Sequence, residues 1–205
     1  MPGKDLHVLI LAGGAGARLG GVRKSDLRVG GRPLLRRVVD ALGPLENPLL
    51  VSTGPGTPPP DLPPHAIPVP DHDQEHAGPI AGLAAAVSAL ERRGIRSGLL
   101  LSVAVDTPFL PADYSTRLVT ALGSAPAAAA AWKDQLYPTN ALWRLDNLAA
   151  ALPRSASPKG LLSTLGAVTV NWDGPCDPFA NLNTLADLIT LQNRSREQGR
   201  ALLHS

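Results

Sequence analysis

A glycine-rich run near the N-terminus has the composition of a phosphate-binding loop. It begins at Leu11, ends at Gly21, and follows the apolar stretch Leu6–Leu11, which is short enough to be a buried strand. Glycine lets the backbone come close to an anion and direct its N–H groups at it. Arg18 adds a side chain that can grip two phosphate oxygens, and Lys24 adds a movable point charge. The segment therefore predicts a site for a polyphosphate.

A single carboxylate follows the most apolar stretch of the chain. Leu99–Val105 is predicted to be a strand at the centre of a sheet, and Asp106 comes directly after it. Ligands of open α/β sheets bind beyond the carboxyl ends of the strands. Mg²⁺ usually takes one or two protein carboxylates together with phosphate oxygens and water. Asp106 can therefore hold Mg²⁺; its position alone equally allows a turn residue or a cap of the next helix.

Basic residues are concentrated after the glycine run. Between Arg18 and Arg37 the chain carries seven basic residues and one acidic residue. A positive patch beside a glycine loop suits a polyphosphate, although a solvated helix face is the alternative for Arg28, Arg36 and Arg37. The net charge of the whole chain is only +2, which by itself predicts no binding of nucleic acid.

Short apolar strands alternate with helical segments along the chain. The predicted strands are Leu6–Leu11, Pro48–Thr53, Ala66–Pro70, Leu99–Val105, Ala127–Trp132, Pro138–Trp143 and Val168–Trp172. The predicted helices are Pro33–Leu42, Gly78–Arg93, Ala112–Leu122, Leu145–Leu152, Lys159–Leu165 and Thr184–Gln192. This alternation predicts an α/β fold, a three-layer sandwich whose mostly parallel central sheet is covered on both faces. We predict one domain over residues 1–193 and a polar C-terminal tail over 194–205.

Two common phosphate motifs do not fit the glycine run. A Walker A loop needs a glycine immediately before its lysine, whereas Arg23 precedes Lys24. A dinucleotide fold needs an acidic residue at the end of the next strand, where this chain has Ser52-Thr53. The sequence shows neither a secretory leader nor an apolar run as long as a membrane span. We therefore expect a cytoplasmic protein without membrane partners.

Taken together, these segments resemble the molybdenum cofactor guanylyltransferases, which belong to a larger group of nucleoside-triphosphate transferases. Six blocks in order carry the resemblance: Leu11–Lys24, Gly30–Leu35, Asp71 with Gly78–Leu83, Asp106–Phe109, Tyr137–Leu142 and Phe179–Thr184. It implies a Rossmann-like, nucleotide-diphospho-sugar transferase fold of the glycosyltransferase-A-like type. It also implies transfer of GMP from GTP to the phosphate of molybdopterin, with pyrophosphate released and Mg²⁺ as the cofactor.

The resemblance further implies roles for individual residues. Those implied to bind the nucleotide are Leu11, Ala12, Gly13, Gly14, Gly16, Lys24, Ser52, Asp71, Gly82 and Asp106. Arg18, Lys24 and Asp106 would be catalytic, with Asp106 as the metal ligand, and Asn181 and Asn183 would lie on the acceptor and metal side. The implied partners are GTP, a molybdopterin-type cofactor, and proteins that insert molybdenum or deliver the cofactor to molybdoenzymes.

The chain also departs from the pattern of that family. The departures are Arg23-Lys24-Ser25 for Asp-Lys-Gly, Ser52 for asparagine, Tyr137 for histidine and Leu185 for proline. The first two leave the nucleotide open, so that CTP or another triphosphate is an alternative to GTP. The last two leave the acceptor open, with a sugar phosphate or another phosphorylated metabolite as the alternative. A nucleotide-binding accessory protein without turnover is a third possibility.

Overall fold

The computed structural model describes residues 5–13, 15–16, 22–54, 58–59, 61–70 and 78–203. Its strands are β1 (Leu6–Leu11), β2 (Ala15–Gly16), β3 (Val22–Arg23), β4 (Arg28–Val29), β5 (Arg32–Pro33), β6 (Leu50–Ser52), β7 (Ile67–Val69), β8 (Leu99–Ala104), β9 (Ala127–Trp132), β10 (Gln135–Arg144) and β11 (Val168–Trp172). Its helices are α1 (Leu34–Leu42), α2 (Pro79–Glu91), α3 (Tyr114–Leu122), α4 (Leu145–Ala151), α5 (Pro158–Leu165) and α6 (Leu185–Leu203). Every predicted strand and helix is present. The two-residue strands β2 to β5 were not predicted, and the other differences lie at the ends of elements.

Seven strands form one sheet in the order β11-β9-β10-β8-β1-β6-β7. β1 lies in parallel between β6 and β8, with Leu11 opposite both Ser52 and Ala104. β10 is antiparallel to both β8 and β9. Its pairing with β9 follows from the connection between them, because only Lys133 and Asp134 join the two strands and a two-residue connection reverses the chain. The remaining pairs are parallel. The sheet is therefore mostly parallel, as predicted.

Two hydrophobic cores cover the two faces of the sheet. Successive residues of a strand point to opposite faces, so Val8 and Ile10 of β1 join one core and Leu9 joins the other. The first core includes residues of α1, α3 and α6, and the second includes residues of α2, α4 and α5. The five alanines of β9 are all buried, and α3 and α5 contact this strand from opposite faces. The predicted three-layer α/β sandwich is confirmed.

Helix α6 extends further than the sequence predicts. The polar residues 194–205 were predicted to form a tail, but α6 continues to Leu203. Its Arg194 guanidinium lies 4.4 Å from the centre of the Phe109 ring and donates a hydrogen bond to the Asp177 carbonyl. The first residue of this polar segment is thus held against the body of the protein. Within the described ranges, no helix combines the length and the apolar content that a membrane crossing would need.

A buried hydrogen-bond network joins α3 to the centre of the sheet. Tyr114 Oη donates to the backbone carbonyl of Ser102 over 2.8 Å, and Trp143 Nε1 donates to Ser102 Oγ over 2.9 Å. Burial raises the pKa of Tyr114 well above its usual value, so its phenol remains a hydrogen-bond donor. The network fixes the register of α3 against β8 by a polar contact inside an apolar core.

We expect Tyr114→Phe to lower the free energy of unfolding by about 1–3 kcal/mol, because the buried Ser102 carbonyl loses its side-chain donor. Urea unfolding followed by circular dichroism would measure the change. The packing of the ring is retained, so the folded spectrum should be that of the wild type. An unchanged unfolding midpoint would show that this hydrogen bond does not stabilise the fold.

Candidate active site

A cavity of about 310 Å³ lies at the carboxyl ends of three adjacent parallel strands. The last residues of β1, β6 and β8 all contribute to its wall. The lining residues are Leu11, Gly13, Lys24, Ser52, Gly78, Pro79, Ala104, Val105, Asp106, Thr139 and Asn181. This is the edge at which parallel α/β sheets bind their ligands, so the topology alone makes the cavity a candidate active site.

Gly13 lies in close contact with the loop that follows β6. A Cβ atom on Gly13 would lie 2.6 Å from the backbone nitrogen of Gly54, and Gly54 itself has a φ of 69°. The Ala12 N–H donates to the Ser52 carbonyl over 3.0 Å. The glycine at position 13 is therefore required by packing between two loops, in addition to any contact with a ligand.

Helix α2 lies unusually close to the ends of β1 and β6. A Cβ atom on Gly82 would come within 2.6 Å of Leu11 Cδ2 and 2.7 Å of Ser52 Oγ. Both of those side chains line the cavity, whereas Gly82 is buried and does not line it. Gly82 therefore controls the shape of this wall from behind, because any larger side chain would push Leu11 or Ser52.

Three distant segments meet at one side of the cavity. Lys24 Nζ lies 2.6 Å from Asp106 Oδ2 and 2.6 Å from Asn183 Oδ1. Lys24 begins a short helical turn after β3, Asp106 follows β8, and Asn183 precedes α6. The lysine and aspartate side chains are only 17% and 13% exposed. The cluster places a cation, a carboxylate and an amide oxygen within contact of one another.

A tight turn presents Asp106 to the cavity. Thr107 donates to the Ala104 carbonyl both through its backbone N–H, over 3.2 Å, and through its Oγ1, over 2.7 Å. Leu182 N–H donates to the Asp106 carbonyl over 3.0 Å. The hydrogen bond from Leu182 links the aspartate to the segment that carries Asn181 and Asn183. The backbone that carries the carboxylate is therefore fixed by its own turn and by the segment that precedes α6.

The start of α6 fixes Asn183. The backbone N–H groups of Asn183 and Thr184 both donate to Asp187 Oδ2, over 2.9 Å and 2.7 Å. Asp187 N–H donates back to Thr184 Oγ1, which makes the reciprocal contact of a capping box. Desolvation acts to raise the pKa of Asp187, but these hydrogen bonds and the charge of Lys24 lower the pKa below its ordinary value.

Tyr137 supports the same segment from a neighbouring strand. Its hydroxyl donates to Asp177 Oδ2, its ring centre lies 5.2 Å from that of Phe179, and Phe179 N–H donates to Asp177 Oδ1. Burial, and then the contact with Asp177, raise the pKa of Tyr137 above its ordinary value. Tyr137 does not line the cavity and holds the residues that lead to Asn181.

Apart from Lys24, the described residues of the basic run do not line the cavity. Arg28 donates to a backbone carbonyl of its own turn, Arg32 pairs with Asp40 at 2.7 Å, and Arg37 donates to a backbone carbonyl over 3.0 Å. Burial, and then the neighbouring Arg32, lower the pKa of Arg37. Of the basic residues that the structure describes in this run, Lys24 alone lines the cavity.

The structure brings most of the predicted nucleotide and acceptor residues together. Those that line the cavity are Leu11, Gly13, Lys24, Ser52, Asp106 and Asn181, and Asn183 joins them through Lys24. Ala12 and Gly82 are buried outside the lining. Gly16 pairs with Val22 in the β2–β3 hairpin. Gly14, Arg18 and Asp71 lie outside the described residues.

Thr139 lines the cavity but was not predicted. It lies in an irregular part of β10, where the pairing with β9 shifts between Tyr137 and Ala141. The signal in the sequence is Pro138, because a proline inside a central strand cannot donate to the ladder and often marks a bulge. The bulge turns β10 away from regular pairing where it reaches the end of β8.

The fold is shared with solved nucleotidyltransferases. The molybdopterin-guanine dinucleotide biosynthesis protein A of Archaeoglobus fulgidus superposes with a TM-score of 0.70 at 20% identity, covering 93% of this chain and 99% of that chain. The 2-C-methyl-D-erythritol 4-phosphate cytidylyltransferase of Thermus thermophilus superposes with a TM-score of 0.69 at 21% identity, covering 93% and 98%. These similarities confirm the predicted nucleotide-diphospho-sugar transferase fold.

Sequence comparison establishes the family. A molybdenum cofactor guanylyltransferase of Rhodobacter capsulatus is 38% identical, over 92% of this chain and 96% of the relative. A second, from Acidiphilium cryptum, is 35% identical, over 91% and 93%. Residues 8–170 match the MobA-like NTP transferase domain. The chain therefore belongs to the family of MobA-like NTP transferases.

Proposed function

We propose that this protein transfers GMP from GTP to the phosphate of molybdopterin and releases pyrophosphate. The observation that carries the proposal is the cluster of Lys24, Asp106 and Asn183 beside a cavity lined by Leu11 and Gly13. Phosphoryl-type transfers depend mostly on positioning and on electrostatic stabilisation of the phosphates, which is what such a cluster supplies. The guanylyltransferase names of the relatives support the choice of nucleotide and acceptor.

The reaction needs no covalent intermediate on the protein. An oxygen of the acceptor phosphate attacks the α-phosphorus of GTP, a new P–O bond forms, and the bond to the β-phosphate oxygen breaks in line. The attacking phosphate is already ionised, so no general base is needed, and the electron pair leaves with pyrophosphate. Lys24 neutralises the charge that develops on the leaving group.

The residues divide between two sides of the cavity. Leu11, Gly13 and Ser52 form the nucleotide side, shaped from behind by Ala12 and Gly82. Asn181 and Asn183 form the acceptor side. Asn181 Oδ1 is buried and has no hydrogen-bond partner among the described residues, so it is an acceptor group available to a ligand. Proteins that insert molybdenum or deliver the cofactor are proposed as further partners.

The oxygens of the cluster fit a magnesium ion. Asp106, Asn181 and Asn183 supply carboxylate and amide oxygens, the hard ligands that Mg²⁺ prefers. Lys24 Nζ lies 2.6 Å from both Asp106 Oδ2 and Asn183 Oδ1, so these oxygens already accommodate a cationic group. Bound there, Mg²⁺ would neutralise and orient the phosphate oxygens.

Ser52 is the reason for testing nucleotides other than GTP. Its short side chain is 2% exposed and lies in the cavity wall, where the family pattern has asparagine. Pyrophosphate release should be measured with GTP, CTP, ATP and UTP, each with molybdopterin and with a sugar phosphate. Release that requires GTP and molybdopterin supports the proposal. Release with CTP or with the sugar phosphate supports the alternative transferases, and binding without release supports an accessory protein.

Lys24→Met should lower kcat/KM for GTP on the order of a hundredfold, because a charge that contacts the phosphates is lost. Guanosine binding should not change, since guanosine carries no phosphate. Steady-state pyrophosphate release and isothermal titration with guanosine would measure the two effects. Lys159→Met, at an exposed position of α5, is the matched control. Equal losses of GTP and guanosine binding would make Lys24 a structural residue.

Gly82→Ala should raise KM for GTP by about tenfold, because the added Cβ would push Leu11 and Ser52 into the cavity. The thermal unfolding temperature and the KM for GTP would be measured together. Gly199→Ala is the control, since its Cβ on α6 meets no atom within 4 Å. An unaltered KM in a folded Gly82→Ala variant would remove this wall from the nucleotide side.

A further inference from the structure

The bulge in β10 leaves a gap beside the last residue of β8. Tyr137 pairs with Ala130 of β9 and Ala141 pairs with the adjacent Ala129, so residues 138–140 have no counterpart on that strand. Pairing between β10 and β8 begins only at Ala141, opposite Ser102. The backbone of β10 is therefore withdrawn from regular pairing where β8 reaches the cavity.

This gap affects one particular backbone group, the N–H of Ala104. The N–H of the next residue, Val105, donates to the Leu11 carbonyl of β1 over 3.1 Å. Successive N–H groups of a strand point to opposite sides, so the Ala104 N–H points toward β10. Asn140 Oδ1 accepts this hydrogen bond over 2.8 Å. A side-chain oxygen thus takes the place of the missing backbone carbonyl.

We propose that Asn140 is a positioning residue that sets the place of Asp106 by holding the Ala104 N–H. The Ala104 carbonyl is held at the same time by Thr107. The peptide groups on both sides of Ala104 are therefore fixed, one by Asn140 and one by the turn. Asp106 lies between these anchors and Leu182, so its carboxylate has little freedom to move.

The Nδ2 group of the Asn140 amide supports this positioning role. The Asn140 side chain is fully buried, and its Nδ2 has no hydrogen-bond partner among the described residues. A buried polar group without a partner costs on the order of 1–3 kcal/mol. An apolar residue of the same size would fill this volume without that cost, so filling space does not account for an amide here. The contact with Ala104 does account for it.

The experiment measures the binding of a divalent cation at Asp106, so this inference rests on the proposed function. Asn140→Leu keeps the number and branching of side-chain heavy atoms and removes the acceptor for Ala104, and Asn140→Asp keeps an acceptor oxygen in the same place. Isolated buried carboxyl groups stay protonated, so the aspartate would also remain neutral. Tyr114→Phe is the matched control, since it removes another buried side-chain hydrogen bond to the β8 backbone without touching Ala104.

Mn²⁺ binding would be measured by electron paramagnetic resonance in the presence of α,β-methylene GTP, together with thermal unfolding and binding of the analogue alone. Asn140→Leu should weaken Mn²⁺ binding by about tenfold, in the range found for residues that orient metal ligands. Binding of the analogue without Mn²⁺ should not change. Asn140→Asp should restore the affinity, and Tyr114→Phe should lower only the unfolding temperature. If Asn140→Leu does not fold, Asn140→Ala serves the same comparison.

Either of two results would overturn this inference without contradicting the proposed function. One is wild-type Mn²⁺ affinity in Asn140→Leu, and the other is an equal loss in Tyr114→Phe, which would make both residues merely structural. A wild-type protein that releases pyrophosphate remains consistent with the proposed function in either case. A wild-type protein that binds no Mn²⁺ with the analogue and releases no pyrophosphate would overturn the proposed function, and this inference with it.

Discussion

The contact between Lys24 Nζ and Asp106 Oδ2, at 2.6 Å, joins two distant segments of the chain beside the cavity. Each side chain is largely withdrawn from water, with 17% and 13% of its surface exposed. Removing a charge from water costs free energy, and only a close partner of opposite sign offsets that cost. Each of these largely buried charges is therefore stabilised by the other. A ligand that separates them must bring an anionic group to the lysine and a cation to the carboxylate.

This requirement has a consequence for how substrates bind under the proposed function. A triphosphate alone would satisfy Lys24 but leave Asp106 next to additional negative charge. A divalent cation alone would satisfy Asp106 but face the ammonium group at short range. The two together would replace both halves of the ion pair, so under the proposed function joint binding of nucleotide and cation would be favoured over binding of either one first. Asn183, which contacts the same ammonium group, would be released at the same step.

Features that depend on one stretch of chain could be predicted, and features that depend on contacts between distant stretches could not. The alternation of apolar strands and helices was sufficient for the layered sheet. Asp106 could be placed because the apolar strand before it ends in a local turn. The part played by Asn140 depends on a register shift that leaves the Ala104 N–H without a backbone partner. Pro138 marks the place of the shift, but no local pattern shows which backbone group loses its partner there.

Helix α6 is attached to the rest of the protein through polar side chains as well as apolar ones. Gln192 accepts a hydrogen bond from Gly30 N–H and donates one to the Arg28 carbonyl, each over 2.9 Å. These contacts hold the hairpin of β4 and β5, which follows the helical turn at Lys24. The first turn of the same helix fixes Asn183. One helix therefore positions two groups that meet at the cavity. Its polar residues bind other parts of the chain, so an amphipathic pattern underestimates how much of this helix is attached to the protein.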